Sequence, residues 1–272
     1  MPEQSPVQSP LDLSRVFDLE PHGPDTYVGE SPRYEWGRIY GGLVVAQALR
    51  AAVHTVRPEH GAHSLHAYFI LVGDPAEPVR YEVDRVRNGR SFTTRRVVAR
   101  QSAGAILTLE CSFQKEEPGP DTQSVTMPAG VPRPDTLEPI WDAGVERRDF
   151  ERKEVTPGST TWVRFPYKLA AAALHACALA YLSDMNAMDA IHASRAGGPA
   201  LTWGGEWMGV SIDHAVWFHR PLRADDWLLL DFKGHGLIRT RGLATGLVFD
   251  RDGTHVATIA QEGLLRERRP AS

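Results

Sequence analysis

The sequence predicts an α+β fold built from two repeats, each a buried helix followed by antiparallel strands that fold back over it. Three observations carry this reading. An apolar stretch with helical spacing occurs twice, over 41–56 and over 168–183. Each is followed by about four apolar, strand-like stretches separated by turn signals. Between the two sets, residues 116–139 are rich in Pro, Gly, Asp and Thr and read as an exposed linker. The expected boundaries are a first repeat over 13–115, a linker over 116–145 and a second repeat over 146–268.

In the first repeat, Gly41-Gly42 opens the run Leu43-Val44-Val45-Ala46-Gln47-Ala48-Leu49, with no proline before Val56. Strand character follows over 63–71, 79–87, 91–101 and 105–113. Asn88-Gly89 is a strong hairpin signal between the second and third of these, and Ser102-Ala103-Gly104 a weaker one. The charge run over 147–154 reads as a solvated face or an edge strand. In the second repeat a strand is expected over 161–165, then an alanine-rich helix over 168–183. Strands are expected over 208–218, 227–232, 238–249 and 254–264, with turns at Gly234-His235-Gly236 and Asp250-Arg251-Asp252-Gly253. Both helices are apolar nearly all round, so each must be covered on most faces. A sheet wrapped around each helix does this, and two such sheets side by side can run on as one.

With 272 residues, the chain can bury roughly 70–75% of its unfolded surface and needs no covalent staples. A net charge of −4 supplies no basic field for nucleic acid. The two cysteines, Cys111 and Cys177, fall in apolar stretches and read as buried thiols of a reducing compartment. Residues 1–12 lack the apolar core of a secretion signal, and the run over 169–182 is too short to span a bilayer. The final Pro270-Ala271-Ser272 is not a peroxisomal address. A cytoplasmic protein without a membrane span is expected.

Several chemistries are missing from the sequence. There is no G-x-S-x-G elbow, no phosphate-cradling loop and no G-x-G-x-x-G after a strand. His60, His63 and His66 are close in sequence but have no metal-ligand pattern, so no metal or other cofactor is expected. Ser211-Ile212-Asp213-His214 contains the residue types of a nucleophilic triad. On a regular strand, however, Ser211 and Asp213 share one face and His214 takes the other. Such neighbours cannot converge into a hydrogen-bonded relay.

Several spaced motifs, in order, resemble the type II acyl-CoA thioesterases. They are Tyr40-Gly-Gly-Leu-Val-Val-Ala-Gln-Ala-Leu49, His63-Ser-Leu-His-Ala-Tyr-Phe69, Asn88-Gly-Arg-Ser-Phe92, Tyr181-Leu-Ser-Asp-Met-Asn186, Ser211-Ile-Asp-His-Ala-Val-Trp-Phe-His-Arg-Pro221 and Thr258-Ile-Ala-Gln-Glu-Gly-Leu-Leu-Arg266. The resemblance covers about residues 15–115 and 148–266. It implies a double hot-dog fold, an acyl-CoA substrate, and catalysis by Asp184, Ser211 and Gln261. It also implies a tendency to form homo-oligomers. The chain departs from the family pattern at Leu43, where Gln is frequent, and at Leu71-Val72, where Arg-Pro is common. Ser211 stands where threonine is often found.

The chemistry of these residue types suits thioester hydrolysis. Asp184 can take a proton from water, a step that contributes typically about 10²–10⁴-fold. Ser211 and Gln261 can each donate and accept, and so can hold that water or the base. Gly41 and Gly42 open a helix whose backbone N–H groups can meet the substrate's developing oxyanion. Each residue also has a structural alternative. Asp184 can cap the segment that follows its helix, Ser211 can satisfy a neighbouring backbone group, and Gln261 can form a purely structural hydrogen bond. Arg266, Arg268 and Arg269 can be solvated or meet a CoA phosphate. Two other functions remain open at this level: a hydratase acting on enoyl thioesters, and a non-catalytic acyl-CoA-binding protein. The two halves are expected to hold one working site, with Arg50 and Phe113 in the places of Asp184 and Gln261.

Overall fold

The computed structural model describes residues 11–150, 158–195 and 207–267. The first half contains β1 (Glu20–Pro21), β2 (Thr26–Gly29), α1 (Gly41–Val53), β3 (His60–Phe69), β4 (Val79–Asn88), β5 (Phe92–Gln101) and β6 (Gly104–Lys115). The second contains β7 (Ile140–Asp142), β8 (Val145–Asp149), β9 (Gly158–Arg164), α2 (Ala172–Leu182), α3 (Ala187–Ala193), β10 (Trp207–Ser211), β11 (Asp213–Phe218), β12 (Leu228–Ile238), β13 (Arg241–Phe249) and β14 (His255–Glu267).

Among the described residues all the strands belong to one 14-stranded sheet, ordered β1-β2-β4-β5-β6-β3-β11-β14-β13-β12-β9-β8-β7, with β10 also paired to β14. The order β2-β4-β5-β6-β3 in one half is repeated as β9-β12-β13-β14-β11 in the other. The halves join where β3 pairs antiparallel with β11, from Asp213 opposite Tyr68 to Trp217 opposite Ser64. Each half wraps its sheet around its own helix, and the whole is a double hot-dog. Leu43, Val45, Ala46, Ala48 and Leu49 of α1 are buried, as are Cys177 to Leu182 of α2. Burial of this kind, at about 25 cal/mol per Å² of apolar surface, drives the fold.

The helices lie against one another, and a glycine sets their closest approach. A Cβ on Gly42 would collide with the carbonyl oxygen of Tyr181 near the end of α2. The start of α1 therefore sits at the end of α2. Gln47, a polar residue inside α1, is fully paired. Its amide nitrogen donates to the carbonyls of Val16 and Glu30, and its oxygen accepts from the Tyr81 hydroxyl. Cys111 and Cys177 are both buried free thiols, and burial pushes the Cys177 thiol up to about 12.

The structure corrects two expectations. The turn placed at Gly234-His235-Gly236 is instead an irregularity inside β12, between Gly234 and Leu237. The chain reverses further on, at Arg239-Thr240, where Arg239 takes a left-handed φ of 59°. Of the two readings of the charge run at 147–154, a solvated face or an edge strand, the described part is a strand, β8, one in from the edge strand β7, and its arginines are not solvated. Arg147 and Arg148 are 13% exposed, and they pair with Asp142, Asp149 and Glu146. Residues 151–154 lie outside the described residues.

The Pro-rich stretch is exposed over 116–124. Further along, Val125, Met127, Val131 and Leu137 pack on a cluster of Trp162, Trp227, Leu229 and Phe249. Asp121 pairs with Arg220 and helps to pin the stretch to the second half.

Candidate active site

The central strand is built from β10 and β11, both paired with β14. Ser211 stands opposite Gly263 and Ala215 opposite Ala260. Four steps along one strand therefore match three along the other, which is a β-bulge. Around it, the Ile212 N–H donates to the Glu262 carbonyl, and the Ile212 carbonyl accepts from the Phe69 N–H. The extra residue resets the alternation, so Ser211 and His214 both reach Gln261. This overturns the expectation that His214 faces away from Ser211. It lies inside, 1% exposed.

Asp184 lies in the break between α2 and α3. Ser183 ends α2, and Asn186 takes a left-handed φ of 67° before α3 begins. A carboxylate at the end of α2 opposes that helix's dipole, but Asp184 also faces the start of α1, where a negative charge is favoured. The N-cap residue of α1, Tyr40, makes no side-chain cap. Asp184 Oδ2 lies beside the start of that helix, close to Gly41. Asp184 thus sits at the start of a helix of the other half, and the N-cap residue of α3, Asn186, makes no side-chain cap. Gly41 is part of the same contact, since a Cβ there would lie 2.6 Å from Asp184 Oδ2.

Asp184, Ser211 and Gln261 converge. Ser211 Oγ donates to Asp184 Oδ1 at 3.2 Å, and Gln261 Nε2 donates to Ser211 Oγ at 2.7 Å. Burial pushes the Asp184 carboxyl up to about 6. The nearby polar groups of Gln261 and Ser211 and the Gly42 backbone, with the charge of Arg38, oppose that rise without cancelling it. Asp184, Ser211 and Gly41 line a cavity of about 400 Å³. Its apolar wall includes Val44, Ile70, Ile106, Met188 and Leu264, while Arg38, Asp142, Arg147 and Asp189 give it a charged side. This is the usual composition of a ligand site, mostly apolar with a few placed polar groups.

The other singled-out residues do not gather here. His60 Nε2 pairs with the Arg90 carbonyl, His63 Nε2 with Ser112 Oγ, and His66 stands edge-on to Trp217. Arg266 is exposed at the end of β14, and Arg268 and Arg269 lie outside the described residues. Sequence reasoning missed His214 and Tyr40. Tyr40 is half-buried, lines the cavity with Asp184 and donates to the Tyr181 carbonyl. Its position directly before Gly41-Gly42 is the only signal that marked it. His214 was visible but was misassigned because alternation was assumed to be unbroken.

Fold and site together define a two-repeat hot-dog protein with a carboxylate, a hydroxyl and an amide at the helix interface. Comparison with known proteins gives the family. Residues 31–114 match the acyl-CoA thioesterase N-terminal domain and residues 114–265 the acyl-CoA thioesterase C-terminal domain. The chain belongs to the type II acyl-CoA thioesterase family. It is 32% identical to mouse acyl-coenzyme A thioesterase 8, over 93% of this chain and 88% of that one. It is also 32% identical to acyl-CoA thioesterase 2 of Haemophilus influenzae, over 94% and 95%. Among solved structures, acyl-CoA thioesterase II TesB2 from Mycobacterium marinum superposes with a TM-score of 0.82 at 34% identity. That match covers 95% of this chain and 98% of the other.

Proposed function

We propose that the protein hydrolyses acyl-CoA to a free acid and CoA, with Asp184 as general base toward water held by Ser211 and Gln261. As a member of its family the chain is a thioester hydrolase. The finer assignment rests on one observation: a carboxylate pushed up to about 6, lining a mostly apolar cavity and accepting from Ser211, which in turn accepts from Gln261. Such a group is ionised at neutral pH yet basic enough to take a proton. The water oxygen forms the new bond to the thioester carbonyl carbon as its proton passes to Asp184. The oxyanion meets the backbone N–H of Gly41, the glycine of the helix start that lines the cavity, and collapse expels the CoA thiolate. That leaving group needs little acid help, because an ordinary thiol titrates near 8.5.

Residues 146–268 would supply the chemical groups, and residues 13–115 the oxyanion site and one wall of the pocket. Ser211 is not assigned as a nucleophile. Its oxygen touches a carboxylate and an amide, with no His or Lys in contact to activate it. A hot-dog hydratase is disfavoured because the nearest histidine, His214, lies behind Gln261 and does not line the cavity. No helix among the described residues is long and apolar enough to cross a membrane. A cytoplasmic homo-oligomer acting without metal or cofactor completes the proposal.

The test is thiol release from a panel of acyl-CoAs by wild type and Asp184→Asn. The substitution should lower kcat by about 10²–10⁴-fold with little change in KM. Near-normal kcat in a folded Asp184→Asn protein would remove the base assignment. Oxygen-18 appearing in Asp184 during turnover would replace activated water with an acyl-aspartyl anhydride.

A further inference from the structure

Behind the three site residues lies a second layer that the proposed mechanism leaves unused. His214 Nδ1 is 2.6 Å from Gln261 Oε1, and His214 Nε2 is 2.7 Å from Ser183 Oγ. His214, Gln261 and Ser183 are all nearly or fully buried. The donor and acceptor inventory decides how such a chain runs. An amide oxygen only accepts, so His214 Nδ1 must carry a proton to bond it. A neutral imidazole has one N–H, so Nε2 then accepts from the Ser183 hydroxyl, whose single proton turns to this nearer acceptor at 2.7 Å and away from the Ala180 carbonyl at 3.0 Å. Continuing outward, the Gln261 amide nitrogen donates to Ser211 Oγ, and Ser211 donates to Asp184. Every donor in the chain Ser183–His214–Gln261–Ser211–Asp184 then points toward the carboxylate.

The alternative orientation is a flipped Gln261 amide. Its oxygen would face Ser211 and Asp184, and its nitrogen would face His214. Ser211 would then give its proton to Gln261, and Asp184 would lose its donor Ser211. We propose that His214 is a positioning residue that locks the Gln261 amide in the orientation that serves Asp184. The role rests on the hydrolytic reading given above. Burial supports it by pushing the His214 imidazole down to about 4, which leaves it neutral with a single N–H. The adjacency of Ser183 to Asp184 ties both ends of the chain to the same turn. The C-terminus of α2 thereby supplies the base and, through His214, the orientation of the group that holds it.

A positioning role predicts which variants fail. An asparagine at 214 can place an N–H near the Nδ1 position, whereas a phenylalanine fills the space and donates nothing. His214→Phe should lose about 10²-fold in kcat with KM within about threefold, and His214→Asn should recover most of that loss. The acid limb of the kcat profile is the readout that simple loss of packing does not move. Donors to a carboxylate lower its pKa, so losing them should raise the limb. The limb should therefore lie higher in His214→Phe than in wild type and return toward wild type in His214→Asn. Other groups near Asp184 are unchanged by these substitutions: Arg38, Tyr40 and the Gly42 N–H before and within α1, Asp142 and Arg147 of β7 and β8, and Asp189 of α3.

The experiment measures kcat and KM against pH for wild type, His214→Phe, His214→Asn and Asp184→Asn, with folding checked by circular dichroism. If His214→Phe fails to fold, His214→Asn against His214→Leu carries the comparison. An unmoved acid limb in the variant lacking a donor overturns the inference, as does an asparagine variant no better than it. Either result with Asp184→Asn inactive removes His214 alone and leaves the hydrolytic reading standing. An active Asp184→Asn removes that reading instead.

Discussion

At the scale of single residues, Asp184 sets a conflict between stability and chemistry. Its carboxyl rises from 3.8 in the unfolded chain to about 6 in the fold. A group with a raised folded pKa favours the fold while protonated. That contribution is present below about 4 and is lost as pH climbs through about 6. At neutral pH the ionised carboxylate is therefore a liability. Two pKa units correspond to roughly 3 kcal/mol, and the cavity's access to solvent reduces this to about 1–2 kcal/mol. Asp184→Asn should accordingly be less active but more stable at pH 7, by about that amount, with the gap closing near pH 4. Urea melts of the two proteins across this range check it. Activity should run the other way in wild type, rising with pH through about 6 to a plateau, because only the ionised form takes a proton. A kcat that falls across the same interval would contradict the base role.

At the scale of elements, the two helix ends matter more than either helix interior. Gly41 and Gly42 are adjacent, but they should fail differently. A Cβ on Gly41 presses on Asp184 Oδ2 and on Phe69, both side chains that can shift. Gly41→Ala should leave the fold nearly intact while displacing the proposed base, with kcat down about 10–100-fold. A Cβ on Gly42 meets the Tyr181 backbone carbonyl, which is fixed in α2. Gly42→Ala should push the helices apart and cost about 1–3 kcal/mol of stability as well as activity. Thermal melts beside steady-state kinetics separate the two, and equal melting temperatures would show that the helix interface is more compliant than argued.

The same scale shows what the sequence could and could not reveal. The helix start at Gly41-Gly42 and the Asn88-Gly89 hairpin were legible because local chemistry decides them. The Gly234-His235-Gly236 turn was misread because its glycines serve a packing need. A Cβ on Gly234 would strike the Ala190 carbonyl of α3, and α3 was not anticipated. The bulge at Ile212 had no local signal at all. It depends on pairing with β14, and without it His214 was assigned to the wrong face.

At the scale of the molecule, the two halves repeat closely enough to ask whether the site repeats as well. The sheet registers now settle which residues correspond, and they replace the earlier pairing of Arg50 and Phe113. Asp184 follows the C-cap of α2 as Thr55 follows the C-cap of α1, His54. The bulge on β10 and β11 is matched by one on β3 between Ala62 and Ser64, which puts Ala62 in the place of Ser211 and Cys111 in that of Gln261. Beside Cys111 on β5 stands Arg95, 1% exposed, where the second half has Ala244 beside Gln261. The Arg95 guanidinium donates to Thr55 Oγ1, the Thr55 carbonyl, Asn88 Oδ1 and the Arg87 carbonyl. It occupies the space that the helix end and the sheet leave open in the second half, and none of Thr55, Ala62 or Cys111 can act as a base there. Arg50, for its part, donates to the Phe17 carbonyl. One site per chain is therefore the expectation. A non-hydrolysable thioether analogue of acyl-CoA should titrate to one equivalent per chain in calorimetry. Arg95→Ala should lower the melting temperature, because it leaves buried partners unpaired, while kcat stays within a few-fold of wild type. Two equivalents of analogue, or Asp184→Asn keeping half of the activity at unchanged KM, would mean that the first half carries a site of its own.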